Sequence, residues 1–354
     1  MNQTAASPEP ILDPDLPIVD PHHHLWVLPE SLLAAMDGQD SISSRTLGPM
    51  FRSKPRYLLD EFLADLRTGH NVVATVYVDA HTMYRSRGPE HLRSVGEVEF
   101  VRGIAAMAAS GIYGDIAIGS GIVGGVDLRL GDAVEEVLAA HVEAGGGRYR
   151  GVRSPAVFDE DDTILGKGVG TANVLSAPDF RAGFKRLRKF GLSFDVWLFE
   201  PQLPDLVALA RECPETQIVL DHVGTPMGVG RYAGRRQERF NAWRENIDAL
   251  AGCGNVAVKL GGLGIPFGGF ESYLSSPPAT SAKLAEQWKP YIETCIDAFG
   301  VNNCMFESNF PVDYATGSYA VLWNAFKRIV AGATWDEKTA LFSGTARRVY
   351  RLDY

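Results

Sequence analysis

The sequence has no apolar run long enough to span a bilayer, and no basic-then-apolar pattern opens it, so a membrane or exported protein is not expected. It has no Cys-x-x-Cys pair. Its four cysteines, Cys213, Cys253, Cys295 and Cys304, read as reduced and mostly buried thiols of a cytoplasmic protein. Positive charge is in deficit: 34 Lys and Arg against 43 Asp and Glu leave a net charge of -9, with a pI near 5.4. That balance argues against nucleic acid or anionic membrane as partners and leaves small-molecule chemistry. Phosphate-cradle signals are missing too. Gly145-Gly146-Gly147 has no Lys-Ser/Thr or Gly-x-Gly-x-x-Gly company and reads as a helix stop.

What is present is an ordinary globular composition, 45% hydrophobic and 22% charged, over 354 residues. That length suits two average domains or one α/β barrel. Short β-branched runs alternate with amphipathic segments, the pattern of parallel strands joined by crossover helices. Strands are predicted over 17–24, 71–78, 116–123, 149–153, 192–198, 217–222, 255–260 and 304–309. Helices are predicted over 57–69, 97–110, 132–144, 179–190, 203–213, 235–251 and 282–299, and two more follow in the tail, the second opened by Thr334 and Glu337 at capping-box spacing. After the first strand a long irregular passage is expected. Residues 1–15, with Pro8, Pro10 and Pro14, read as a flexible lead-in, and 16–354 as one domain. Eight alternations without duplication or linker favour a single closed (β/α)8 TIM barrel over an open doubly wound sheet.

In such barrels chemistry sits at the C-terminal strand ends, and the scattered polar residues of this chain fall there. Asp20-Pro21-His22-His23-His24-Leu25-Trp26 ends the first strand. Strand alternation places Asp20, His22 and His24 on one face, where two imidazoles can meet one metal ion, or one water and a substrate oxygen. A surface histidine cluster is the plain alternative. Asp79 and Asp127 follow the second and third strands, Arg153 ends the fourth, His222 the sixth, Lys259 lies near the end of the seventh, and Glu307 and Asn309 share one face of the eighth with Ser308 turned outward. His222 is a functional or a core histidine. Arg153 holds a substrate carboxylate or pairs with Asp159–Asp162, and Lys259 assists it or forms a structural ion pair. Trp26 is a wall residue or covers a planar substrate. His70, His81, His91 and His141 are expected on the surface.

The ordered set of that histidine motif, Arg150-Gly151-Val152-Arg153, Asp221-His222-Val223-Gly224 and Phe306-Glu307-Ser308-Asn309-Phe310-Pro311 resembles the amidohydrolase-2 branch of the amidohydrolase superfamily. Within it the likeness is to the lactonase-like group that includes pyrone-dicarboxylate and sugar-acid lactonases. The resemblance, from about residue 16 to Tyr354, implies a distorted TIM barrel that hydrolyses a carboxylate-bearing lactone or ester, with His22, His24, Arg153 and His222 in its pocket. Two departures stand out. No histidine occurs in 194–202, where metal-dependent relatives carry one, and Asn309 replaces the usual eighth-strand aspartate. The departures weaken a metal site, and His22, His24 and His222 are expected to hold a divalent ion, zinc first, or to polarise the carbonyl without metal. Arg153, Lys259 and Trp26 would contact a small acidic substrate. His222, Glu307 and Asn309 form the catalytic set, with Glu307, or Asp313 from the following loop, as the base. A non-oxidative decarboxylase and an inactive acid-binding barrel are the alternative functions, and self-association is left open.

Overall fold

The computed structural model describes residues 9–37 and 40–354. Eight parallel strands follow one another in chain order around one sheet: β1 Ile18–His23, β2 Val72–Val78, β3 Ala117–Gly125, β4 Tyr149–Arg153, β5 Ser193–Val196, β6 Ile218–Leu220, β7 Val256–Leu260 and β8 Cys304–Phe306. The ring closes just past β8, where Asn309 N donates to the His22 carbonyl (2.9 Å) and His24 N to that of Phe310 (2.7 Å). The fold is thus a distorted (β/α)8 barrel. Its strands match the sequence reading to within three residues at either end, since most are buried runs bounded by turn residues. The eighth stops at Phe306, so Glu307, Ser308 and Asn309 lie past its end and not on its faces, with Asn309 at a φ of 52°.

Two apolar layers hold it. Val19, Ala74, Val76, Val123, Val219, Ala257 and Met305 fill the barrel interior together with Ala346, Val349, Tyr350 and Leu352 of the C-terminal segment. That segment enters from the N-terminal end of the strands, where Thr345 Oγ1 donates to the Val301 carbonyl ahead of β8. Outside, the crossover helices pack a continuous layer on the sheet, with Phe180, Phe184 and Leu187 of the helix Pro178–Phe190 fully buried. Thr334 and Glu337 form the expected capping box.

Three expectations change. The irregular passage after β1 contains two helices, Glu30–Asp37 and Ile42–Ser53, the second capped by Ser41 through Ser44 although Gly48 and Pro49 lie within it. Those residues depress helix propensity, so packing decides the segment. The lead-in is fixed from Glu9 onward: Glu9 accepts from Ser281 N (2.8 Å), Asn324 donates to the Pro10 carbonyl, and Lys327 to the carbonyls of Leu12 and Asp13. Residues 1–8 lie outside the described residues. His70 and His141 are buried, not on the surface: His70 sits against Lys327 Nζ (2.9 Å) and His141 against Ser94 and Val137.

Candidate active site

Pro21 has no N–H to give the ladder, and the β1–β2 register slips between Asp20 and His23. The slip corrects the expected facing of Asp20. Val19 joins the barrel interior, whereas Asp20 turns outward and accepts from Ser308 Oγ (2.6 Å), Ser308 N (3.1 Å) and Tyr319 OH (3.0 Å). Burial raises its pKa to about 6 against these donors. His23 also faces out, stacked on Phe62 with its Nε2 on Thr75 Oγ1. His22 and His24 face the mouth together, their Nε2 atoms 3.2 Å apart.

Proton placement around that pair follows from its partners. His24 Nδ1 lies 2.8 Å from the Val78 carbonyl, which can only accept, so the proton sits there and Nε2 carries a lone pair. His22 Nδ1 lies 2.8 Å from Glu307 Oε2, which likewise takes the proton side and bares its Nε2. Asn309 Nδ2 donates to Asp313 Oδ1 (2.7 Å), which turns its Oδ1 toward His24 Nε2 at 3.3 Å. Three acceptors converge with no proton among them. Burial lowers the pKa of both His22 and His24, so neither supplies one by protonation. Two nitrogens on one tetrahedral zinc lie about 3.3 Å apart, given Zn–N bonds of about 2.0–2.1 Å. The donor set therefore fits a divalent ion. His222 stands alongside, its ring 4.7 Å from that of His22 and its Nδ1 2.7 Å from Glu307 Oε1. The ligand atoms of His22, Asp221 and His222 also lie within 4.8 Å of one another.

His222 is aimed by a tight backbone. β6 stops at Leu220, two residues before the expected end, and His222 and Val223 take positive φ of 57° and 48°. Such values are rare, especially for a β-branched residue, and are kept only where surroundings impose them. Here Trp243 Nε1 donates to the Val223 carbonyl (2.7 Å), and Thr225 N to that of His222. Gly262 clears the other side: a Cβ there would come within 2.1 Å of His222 Nδ1.

Beneath the histidines lies a buried layer of ions. Lys259 is fully buried, its Nζ 2.8 Å from Asp195, 3.0 Å from Asp221 and 3.2 Å from His22 Nδ1. Burial opposes its charge, but Asp195, Asp221 and Glu307 push its pKa up to about 12. Lys259 thus takes the structural ion pair rather than the substrate-facing place. Glu307 spans the Nδ1 atoms of His22 and His222 and accepts from His222 N (3.1 Å). Burial alone would raise its pKa, yet His222 and His22 hold it below the usual carboxylate range. Asp313 differs: burial pushes it up to about 7, despite His222 and the donors Asn309 Nδ2 and Gly264 N.

At the rim Arg153 donates to the Asp79 carbonyl (3.1 Å), lies 3.6 Å from Asp221 Oδ2 and rests on Trp197. It does not pair with Asp159, which Tyr232 and Arg231 hold. Trp26 is buried behind His24, parallel to its ring at 6.1 Å, with Nε1 on the Lys54 carbonyl. Asp127 is absorbed by Arg129. So His22, His24, Arg153, His222, Glu307 and Asn309 converge at one mouth, and Lys259 and Trp26 support it from behind. Asp195 and Asp221 were missed. Asp195 had a signal, a carboxylate between Phe194 and Val196 on a short strand.

The family model for amidohydrolases (Amidohydro_2) matches residues 19–352. The chain belongs to the amidohydrolase family. The y4mH protein of Sinorhizobium fredii is 33% identical over 340 residues, 96% of this chain and 99% of that one. An L-fucono-1,5-lactonase of Burkholderia multivorans is 29% identical over 232 residues, 65% of this chain and 71% of that one. A crystal structure of a Burkholderia multivorans amidohydrolase with bound zinc superposes with a TM-score of 0.70 at 24% identity, covering 95% of this chain and 99% of that one. This amidohydrolase shares the barrel of that structure.

Proposed function

We infer that this amidohydrolase opens a small carboxylate-bearing lactone, or a related ester, by attack of water at the barrel mouth. The observation that carries the reading is the meeting of bare imidazole lone pairs at the bottom of a mouth whose rim holds one guanidinium, Arg153. Asp221 lies 3.6 Å from that guanidinium, beyond hydrogen-bond length, and a substrate carboxylate can match a planar guanidinium fork in two parallel hydrogen bonds. The lactonase among the relatives supports the same direction.

His22, His24 and His222 would hold a divalent ion, with zinc best suited to three imidazoles and an oxygen. Bound there, it would acidify a water and polarise the carbonyl. The residues themselves do the rest. Glu307 fixes the tautomers of His22 and His222 through their Nδ1 atoms, so it orients rather than accepts protons. Asp313 is the base: its burial keeps its proton affinity near neutrality, and Asn309 aims it. Lys259 offsets the charge of Asp195 and Asp221 below the site.

The test is a panel of carboxylated five- and six-membered lactones, followed by proton release, with metal content measured on the same preparation. Ring opening with at least one bound ion per chain is expected. Release of carbon dioxide from an aromatic acid would replace this reading with decarboxylation, and tight binding of acids without turnover would make the barrel a binding protein.

A further inference from the structure

A fourth histidine stands at the mouth, outside the cluster described above. His81 lies in the loop after β2, three residues beyond Val78, whose carbonyl braces His24. Its Nδ1 is 2.8 Å from Oδ2 of Asp79, a carboxylate with a side chain only 1% exposed, while the imidazole itself is 64% exposed. A carboxylate only accepts, so Nδ1 donates to it, and the imidazolium carries its second proton on Nε2. Tyr84 OH donates to Asp79 Oδ1 (3.2 Å) and His81 N approaches the same oxygen (3.4 Å). The Asp79 carbonyl takes Arg153, the residue assigned to the substrate carboxylate.

Two features mark the arrangement as imposed by its surroundings. His81 and Met83 hold positive φ of 56° and 54°, a cost that a free surface loop would shed. Gly125, at the end of β3, lies directly against the pair: a Cβ there would come within 2.4 Å of Asp79 Oδ1 and 2.9 Å of Tyr84 OH. The charges agree. Burial and then Asp79 raise the pKa of Glu97 well above the ordinary range, so Glu97 stays neutral. Burial opposes ionisation of Asp79, but His81, Glu97 and Arg153 hold it below the usual carboxylate range. Asp79 in turn raises the imidazole of His81, against Arg153.

We propose that His81, oriented by Asp79, is the proton donor to the leaving oxygen. The proposal rests on the lactonase reading. Water adds to the carbonyl carbon as its proton passes to Asp313. The ring C–O bond then breaks, its electron pair goes to the ring oxygen, and that oxygen takes the Nε2 proton of His81. Solvent returns a proton to His81 and removes the one on Asp313, which leaves a hydroxy acid and no net change in the protein.

The test compares His81→Gln with wild type on two carboxylated lactones, one with an aliphatic alkoxide leaving group and one, a dihydrocoumarin, with a phenoxide. Loss of about 10²-fold in kcat is expected on the first, and less than about threefold on the second, because a phenoxide departs without a proton. The wild-type rate on the first should fall as pH rises through the His81 pKa. His81→Gln should lack that limb, and Asp79→Asn should move it to lower pH, which a purely structural role would not do. Equal losses on both lactones, or none on either, overturns the donor role alone. Inactivity of the wild type on both overturns the lactonase reading and the donor role with it.

Discussion

Glu307 and Asp313 are both buried carboxylates near the same histidines, and their surroundings separate them. Glu307 faces two imidazole N–H groups and stays ionised. Asp313 faces an amide and a backbone N–H and holds its proton to about 7. Glu307→Gln should therefore lower metal affinity and turnover together, by about 10–100-fold, as loss of a group orienting metal-bound histidines does. Asp313→Asn should keep the metal and lose about 10²–10⁴-fold in kcat. Metal titration beside steady-state kinetics separates the two; near-normal turnover in Asp313→Asn with collapse in Glu307→Gln would return the base to Glu307. The sign of the pH dependence follows from Asp313. A base works deprotonated, so kcat/KM should rise as pH rises through about 7, and Asp313→Asn should flatten that limb.

At the scale of elements, the C-terminal segment is part of the site's foundation. Tyr350 is fully buried in the barrel interior and its hydroxyl donates to Asp195 Oδ2, the oxygen that also pairs with Lys259. Tyr350→Ala should open a cavity and cost about 3–5 kcal/mol, in the range for large aromatic deletions, read as a fall in the urea midpoint. Tyr350→Phe keeps the packing and removes only the hydroxyl. It should cost about 1 kcal/mol and lower turnover through the loosened Asp195–Lys259 pair. Unchanged kinetics in Tyr350→Phe would confine the segment to a packing role. Sequence pattern located the helices of this tail through Thr334 and Glu337, but nothing in it announced that Tyr350 ends against Asp195, because that contact spans 155 residues.

For the whole molecule, an ion shared by residues from β1 and the β6 turn would bind only the folded barrel, so its removal should lower stability. Chelated protein is expected to melt at a lower temperature than protein with zinc, with readdition restoring it; at a free-ion concentration 1,000 times Kd the difference is about 4 kcal/mol. Equal melting temperatures with and without chelator would remove the ion from the fold. The sequence by itself determined the barrel, its eight strands and most of the mouth. Strand burial, alternation and the strand-end rule are local or fold-wide regularities, and His22, His24, Arg153, His222, Glu307 and Asn309 are all found by them. The tertiary structure alone decided how those side chains are used. A register slip at Pro21 turned Asp20 away, and burial between Asp195 and Asp221 made Lys259 a buried counter-ion. A shielded carboxylate made an exposed histidine, His81, a directed one. Register, burial and charge pairing depend on residues far apart in the chain, and no local pattern encodes their distances.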